Sequence, residues 1–398
     1  MTYHPERAIK NEPNTFVRSN IFTNLYDEVN VTVKALASQT TNLTEWTDTS
    51  DVPQISIDTT GAIIFNDGGT DRKMHMPERD DGATSSNYYW GTDPTVFTGT
   101  GVQGQLNISI GGGAGGVITT GFGNISFGLN TNTVVSQGVG NIAIGGYDVN
   151  SKVVNNSNNI GIGYQSQYSS GSANIGIGYL SLGASSGGTT TGSDVVAIGY
   201  ASQAHISTPS DNVSIGTASL RYNETGAQNT AVGHQAARGL SSYSHTHTTS
   251  IGYNSLVGIT TATNSTAVGW QSLYSISTGS NNTALGAAAG FGSTTGTDNT
   301  FLGTSSGYYN QTGINNVIIG YQAAYGVSAN SHSNNTIVGH TAAAAIQTGS
   351  QNSIFGRETA NALTTGSSNS AFGSQAMKYN QTGVANVAMG YQAGYGVS

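Results

Sequence analysis

Residues 282–298 read NTALGAAAGFGSTTGTD, and residues 299–315 read NTFLGTSSGYYNQTGIN. The two segments superimpose without a gap. Each opens on an asparagine (Asn282, Asn299) and reaches a glycine four positions later, behind an apolar residue (Leu285-Gly286, Leu302-Gly303). The same glycine, always preceded by Ile, Val, Leu, Phe or Met, recurs at 111, 128, 145, 163, 178, 199, 216, 233, 252, 269, 286, 303, 320, 339, 356, 373 and 390. Eleven of the sixteen intervals are 17 residues and the others are 15, 18, 19, 19 and 21, so the spacing marks a structural repeat.

The other positions keep step with this anchor glycine. Asparagine stands four residues before it in fourteen of seventeen copies, the exceptions being Val195, Thr248 and Ser265. A second glycine often stands seven before it, as in Thr278-Gly279, Thr312-Gly313 and Thr365-Gly366. Three residues after it comes a small residue, usually Ala or Ser. Positions −3 and −1 share one side of a strand, because strand side chains alternate with period two. The bulkier residue at −1 is therefore expected to fill a narrow interior, with −2 (Ile318, Ile337, Ile354 in three copies) facing outward.

Gly permits positive φ and close backbone approach at corners, while Asn bonds nearby backbone. Stacked asparagines can also form an amide ladder. Asn229, Gly233, Asn282, Gly286, Asn299, Gly303, Asn352, Gly356, Asn386 and Gly390 are the candidate structural corners. The expected fold is all-β: a parallel β-helix or β-roll solenoid of about seventeen coils over 107–398, a rod about 80 Å long. One thin coil holds few large apolar side chains, so a homotrimer around a three-fold axis is expected to supply the missing burial. A monomeric solenoid is the competing arrangement.

Composition agrees with a fibrous chain. Gly contributes 56 of 398 residues and charged residues only 8%, where globular proteins carry about 25%. The net charge of −8 offers no basic footprint for nucleic acid, and no apolar run is long enough to cross a membrane. Cysteine is absent, which excludes thiolate and disulfide chemistry.

Charge is concentrated at one end. Residues 1–93 hold seven of twelve Lys/Arg and fourteen of twenty Asp/Glu. Residues 1–50 read as an attachment segment, with Ile21, Leu25, Val29, Val33 and Leu36 at helix-like intervals. Residues 51–106 read as a small β-rich connector with a hairpin over 54–58 and 62–65. Residues 72–90 read as loop.

The motif Asn-x-Ala-[Ile/Val/Leu]-Gly-[Tyr/His]-Gln-Ala occurs at Asn229–Ala236 (NTAVGHQA) and, with Met before the glycine, at Asn386–Ala393 (NVAMGYQA). It resembles the parallel β-roll head of trimeric autotransporter adhesins, and also the Gly/Asn/Thr-rich repeats of tailed-phage fibres, notably those of marine phages. The 17-residue period is longer than that of the adhesin heads. The start MTYHPERAIK lacks the apolar core of a secretion signal. The resemblance then implies a phage fibre, assembled in the host cytoplasm and carried on the virion, with tail or adaptor proteins bound through residues 1–100 and a host receptor or glycan as a further partner. A secreted or surface trimeric adhesin is the alternative. The chain stops at Gly394–Ser398 in the middle of a repeat, as expected of part of a longer protein.

Two features carry candidate chemistry. On a strand, His245 and His247 would present both imidazoles on one face, and three chains would offer six nitrogens to a transition metal. The competing reading is a solvated loop. Tyr164, Tyr179, Tyr200, Tyr253, Trp270, Tyr321 and Tyr391 stand just after the anchor glycine and are candidates for glycan adhesion, or simply for stacking between coils.

Enzyme signatures are missing. The string Gly111–Gly116 lacks the Gly-Lys-Ser/Thr of a phosphate loop, and no paired carboxylates or nucleophile elbow stand out. A left-handed β-helix acyltransferase is the remote alternative, since Ile162-Gly163-Tyr164 matches its hexapeptide only once per coil. The sequence predicts a structural protein and no catalysis.

Overall fold

The computed structural model describes the backbone of five strands between residues 44 and 91 and most of residues 106–396. Of the attachment segment 1–50, residues 1–43, with the expected helix, lie outside the described residues, and Thr44–Thr47 is a strand. Strands β1 (Thr44–Thr47), β2 (Pro53–Ile57), β3 (Ile63–Asn66), β4 (Asp71–His75) and β5 (Tyr88–Gly91) form an antiparallel meander. The expected hairpin is the β2–β3 pair. It gains a strand on each side, one of them, Asp71–His75, running into the stretch 72–90 expected as loop. Tyr88–Gly91, which begins at the end of that stretch, then pairs in parallel with β6 and joins the meander to the repeat.

From there the chain is a parallel β-solenoid. Seventeen three-residue strands, β6 (Ile108–Ile110) to β22 (Val387–Met389), stack one per coil, each in register with the next. Three residues are few for a strand, but coil-to-coil bonding continues beyond it. Ala288 N–H donates to the Trp270 carbonyl at 2.7 Å, Leu273 to Ala289 at 2.9 Å and Gly290 to Ser306 at 2.9 Å. Most of the circuit is therefore held to its neighbours by backbone bonds, as buried peptide groups require.

Each anchor glycine is fixed by two constraints. Its φ lies between 119° and 146°, a region costly for any side chain. A Cβ on Gly303 would also stand 2.6 Å from the carbonyl oxygen of Gly320 in the next coil.

Strand alternation holds, but the expected sides are reversed. The middle residue at −2 is buried in all seventeen strands, whereas −3 and −1 are half-buried or exposed. Ile318, Ile337 and Ile354 are thus core residues, fully enclosed. The interior is narrow, and the residue four after the anchor also points into it. These two positions trade volume. Ser214, Ser250 and Ala267 accompany Leu220, Leu256 and Leu273, while Ile318, Ile337 and Ile354 accompany Ala324, Ala343 and Ala360. Phe301, the largest enclosed side chain, lies between Gly290 and Gly307, and a Cβ on Gly290 would sit 2.7 Å from its ring. Cores at native density tolerate such compensation and little else.

Candidate functional site

Since −2 takes the interior, the large residues at −1 line the outside. Ile110, Phe127, Ile144, Ile162, Ile177, Ile198, Ile215, Val232, Ile251, Val268, Leu285, Leu302, Ile319, Val338, Phe355, Phe372 and Met389 form one continuous apolar column. Leu285 is 49% exposed and Leu302 40%. Beside this column runs the −3 column, Ile or Val in the first coils and largely Thr or Ser afterwards. The Phe355 and Phe372 rings stack at 5.0 Å. An uninterrupted apolar stripe of this length is unusual on an isolated soluble chain.

The aromatic column after the anchor glycine flanks the stripe. Tyr164, Tyr179 and Tyr200 stack at 5.4 Å with nearly parallel planes. Tyr253 stacks on His234 at 5.0 Å and Tyr321 on His340 at 5.2 Å. Trp270 and Tyr391 are exposed. Rings stacked this closely cover one another's faces, so within each stack the column presents edges and hydroxyls. Only its ends and gaps offer a free face to a sugar. A second aromatic column, which the sequence reading missed, runs through Tyr274, Phe291, Tyr308 and Tyr325 at spacings of 4.8–5.1 Å. All four stand five residues after an anchor glycine, so counting that position across coils would have exposed it.

The corner asparagines form buried ladders. In the unbroken run from Asn282 through Asn299, Asn316, Asn335, Asn352 and Asn369 to Asn386, each Oδ1 accepts both the backbone N–H and the Nδ2–H of the asparagine above. Nδ2 also donates to a carbonyl fourteen residues ahead, as Asn352 does to Gly366 at 3.0 Å. Asn229 bonds Asn212 in the same way. At two of the three exceptions a hydroxyl substitutes, while Val195 keeps only the ladder bond from its backbone N–H to Asn174 Oδ1. Thr248 Oγ1 donates to Asn229 Oδ1 at 2.7 Å, and Ser265 Oγ accepts from Asn282 N–H at 3.3 Å.

His245 and His247 do not share a face. His245 is buried, with Nδ1 3.1 Å from Thr248 Oγ1 and Nε2 3.3 Å from the Ala237 carbonyl. His247 is exposed at a left-handed corner, φ 54°. The segment is a bend and not a strand, so the alternation expected of the pair does not apply. Among the described residues no three His, Asp or Glu side chains gather as a metal site.

His245 has a structural twin in His332. Both replace the glycine at −7, both lie in 19-residue coils, and both backbone N–H groups donate at 3.1 Å to an asparagine, Asn223 or Asn310. Burial pushes each imidazole down to about 4, with the Ala237 carbonyl opposing the shift at His245.

No family model matches the chain, and no curated protein and no solved structure shows significant similarity to it.

Proposed function

We propose that this protein is a structural fibre component of a phage virion, a homotrimer whose rods associate through the outward apolar stripe and hold a host-binding element away from the particle. The stripe carries the reading. A parallel, in-register assembly sets each −1 side chain against its equivalent at the same height, so apolar meets apolar along the rod. Seventeen rungs need to bury only about 50 Å² each to reach the roughly 800 Å² per partner of a standard interface. A stripe two residues wide suits closure around a narrow three-fold axis. The Gly/Asn/Thr-rich repeats and their resemblance to phage fibres support the virion setting.

Sedimentation of the purified chain tests the assembly, with a mass about three times 40.7 kDa expected. A monomer would sink the trimer. Mass spectrometry of purified virions tests the setting, and recovery in outer-membrane fractions without virions would favour a surface adhesin.

A further inference from the structure

One corner of the solenoid recurs three times with different chemistry. The run Tyr-Asn-x-Thr-Gly occurs at 222–226, 309–313 and 379–383. Each tyrosine lies over a glycine of the next coil, for a Cβ on Gly239, Gly326 or Gly396 would come within 3.5–4.0 Å of that tyrosine's Cβ. In the second copy the corner is aromatic. Tyr308 and Tyr325 stack at 4.9 Å, and Tyr309 meets both edge-on at 4.6 and 5.3 Å. In the third copy Tyr395 meets Tyr379 edge-on at 5.0 Å beside Lys378.

In the first copy Arg221 and Arg238 occupy the places of Tyr308 and Tyr325. Tyr222 N–H donates to the Arg238 carbonyl at 3.0 Å, which fixes the two arginines in successive coils, about 4.8 Å apart. Neither arginine is in an ion pair with another described residue. The ion pairs among the described residues all involve Glu358. The nearest acid in sequence, Glu224, forms none with either arginine. Both Nε atoms are buried and lack a hydrogen-bond partner. Two like charges at adjacent rungs repel unless an anion lies between them, and with Nε enclosed it is the terminal guanidinium nitrogens that would meet it.

We propose that Arg221 and Arg238 jointly bind the sulfate, phosphate or carboxylate group of an acidic polysaccharide, with the edge of the stacked Tyr222 and His205 rings against its sugar. The guanidinium fork matches oxyanions bidentately, and two forks one rung apart hold a single anion from two sides. The Arg221 guanidinium carbon is 5.2 Å from the Tyr222 ring centroid, and His205 stacks on that ring at 4.9 Å, so charge and an apolar wall stand together. The local field agrees. Burial first and Arg221 next hold His205 below its ordinary value, against an opposing pull from Glu224. The site goes beyond the fibre reading and does not depend on it.

The test is calorimetric titration of the full chain with oligomers of polygalacturonate, dextran sulfate and phosphorylated dextran, against neutral dextran and free sulfate. At least one acidic oligomer is expected to bind saturably and salt-sensitively, while neutral dextran does not. Arg221→Gln and Arg238→Gln are each expected to weaken binding at least about tenfold, whereas Arg357→Gln, which removes the same charge elsewhere, leaves it unchanged. Circular dichroism confirms that the variants stay folded. The proposal is overturned if no acidic oligomer binds the folded rod, if free sulfate binds but the oligomers do not, if the double variant binds as well as the parent, or if Arg357→Gln is equally damaging. The mass of the assembled rod is a separate measurement, so failure here leaves the fibre reading standing.

Discussion

Asn299 Oδ1 accepts two hydrogen bonds from Asn316, one from its backbone N–H at 3.1 Å and one from its Nδ2 at 2.9 Å. Asn299 Nδ2 meanwhile donates to the Gly313 carbonyl at 2.8 Å. One side chain thus satisfies three buried groups from the next coil, and the pattern propagates along the rod. An aspartate lacks the donor, a glutamine is a methylene too long, and a serine is too short to reach the carbonyl.

Replacing Asn299 should therefore separate these roles. Asn299→Ala leaves the Asn316 N–H buried without its acceptor, at a cost of about 1–3 kcal/mol. Asn299→Asp adds an oxygen facing the Gly313 carbonyl and should be worse, while Asn299→Ser should be mildest, since Ser265 Oγ already accepts the N–H of Asn282 in the next coil. Long repeat arrays do not unfold as one unit. Amide exchange in 299–335 is the appropriate readout, and uniform protection across the three variants would remove the ladder from the account.

Gly303 and Gly123 both need a positive φ, 130° and 67°, but differ in what surrounds them. A Cβ on Gly303 would stand 2.6 Å from the Gly320 carbonyl oxygen, whereas the nearest atom to one on Gly123 is 3.9 Å away. Gly123→Ala should carry only the conformational cost, about 1–3 kcal/mol. Gly303→Ala adds a backbone clash and should break the stack near the middle, giving a protease-sensitive site there. Equal resistance of the two variants to limited proteolysis would show that stacking space does not select glycine.

The period, the corner glycines and the asparagine column were legible in the sequence because backbone geometry admits few residue types there. Orientation was not. Alternation tells which residues share a side but not which side is inside, and placing the bulkier Leu302 inward overlooked how little room a 17-residue coil encloses. The compensating pairs, Phe301 with Gly290 and Gly307, or Ile318 with Ala324, held the missing information. Their members are distant in the repeat pattern, and their coupling becomes visible only once both are known to point inward. Arg221 and Arg238 were hidden for a related reason. Seventeen residues apart, they look isolated until the coils place them on adjacent rungs.

His245 and His332 give the rod a dependence on acid. Burial lowers both from 6.5 to about 4. Above pH 6.5 folded and unfolded imidazoles are alike neutral, and their contribution is fully present. As pH falls from 6.5 toward 4 the unfolded chain binds protons that the folded chain excludes, so stability declines, by an upper bound on the order of 3 kcal/mol per site. Corrected for the intrinsic slowing of exchange in acid, amide protection in the two 19-residue coils should fall between pH 6.5 and 4.5 more than in the 17-residue coils. In His332→Gln the coil ending at Gly339 should lose that extra sensitivity. If it persists, another group is titrating.

Adjacent strands allow the two faces of the sheet to be separated with the same chemical change. Leu302 is 40% exposed at the −1 position of β17 (Thr300–Leu302), while Ile318 is fully enclosed at the −2 position of β18 (Val317–Ile319). Ile318→Glu places a carboxylate among apolar side chains in the core, and its desolvation should prevent the coils from stacking there. Leu302→Glu leaves the coil intact, because its side chain already reaches the surface. In an assembled fibre, however, it brings like charges together where the stripes meet. The expected outcome is a folded rod with an unchanged β-sheet circular dichroism spectrum and a sedimentation mass reduced to that of one chain. Two results would speak against the outward stripe as the interface: a Leu302→Glu protein of undiminished mass, or one that unfolds as Ile318→Glu does.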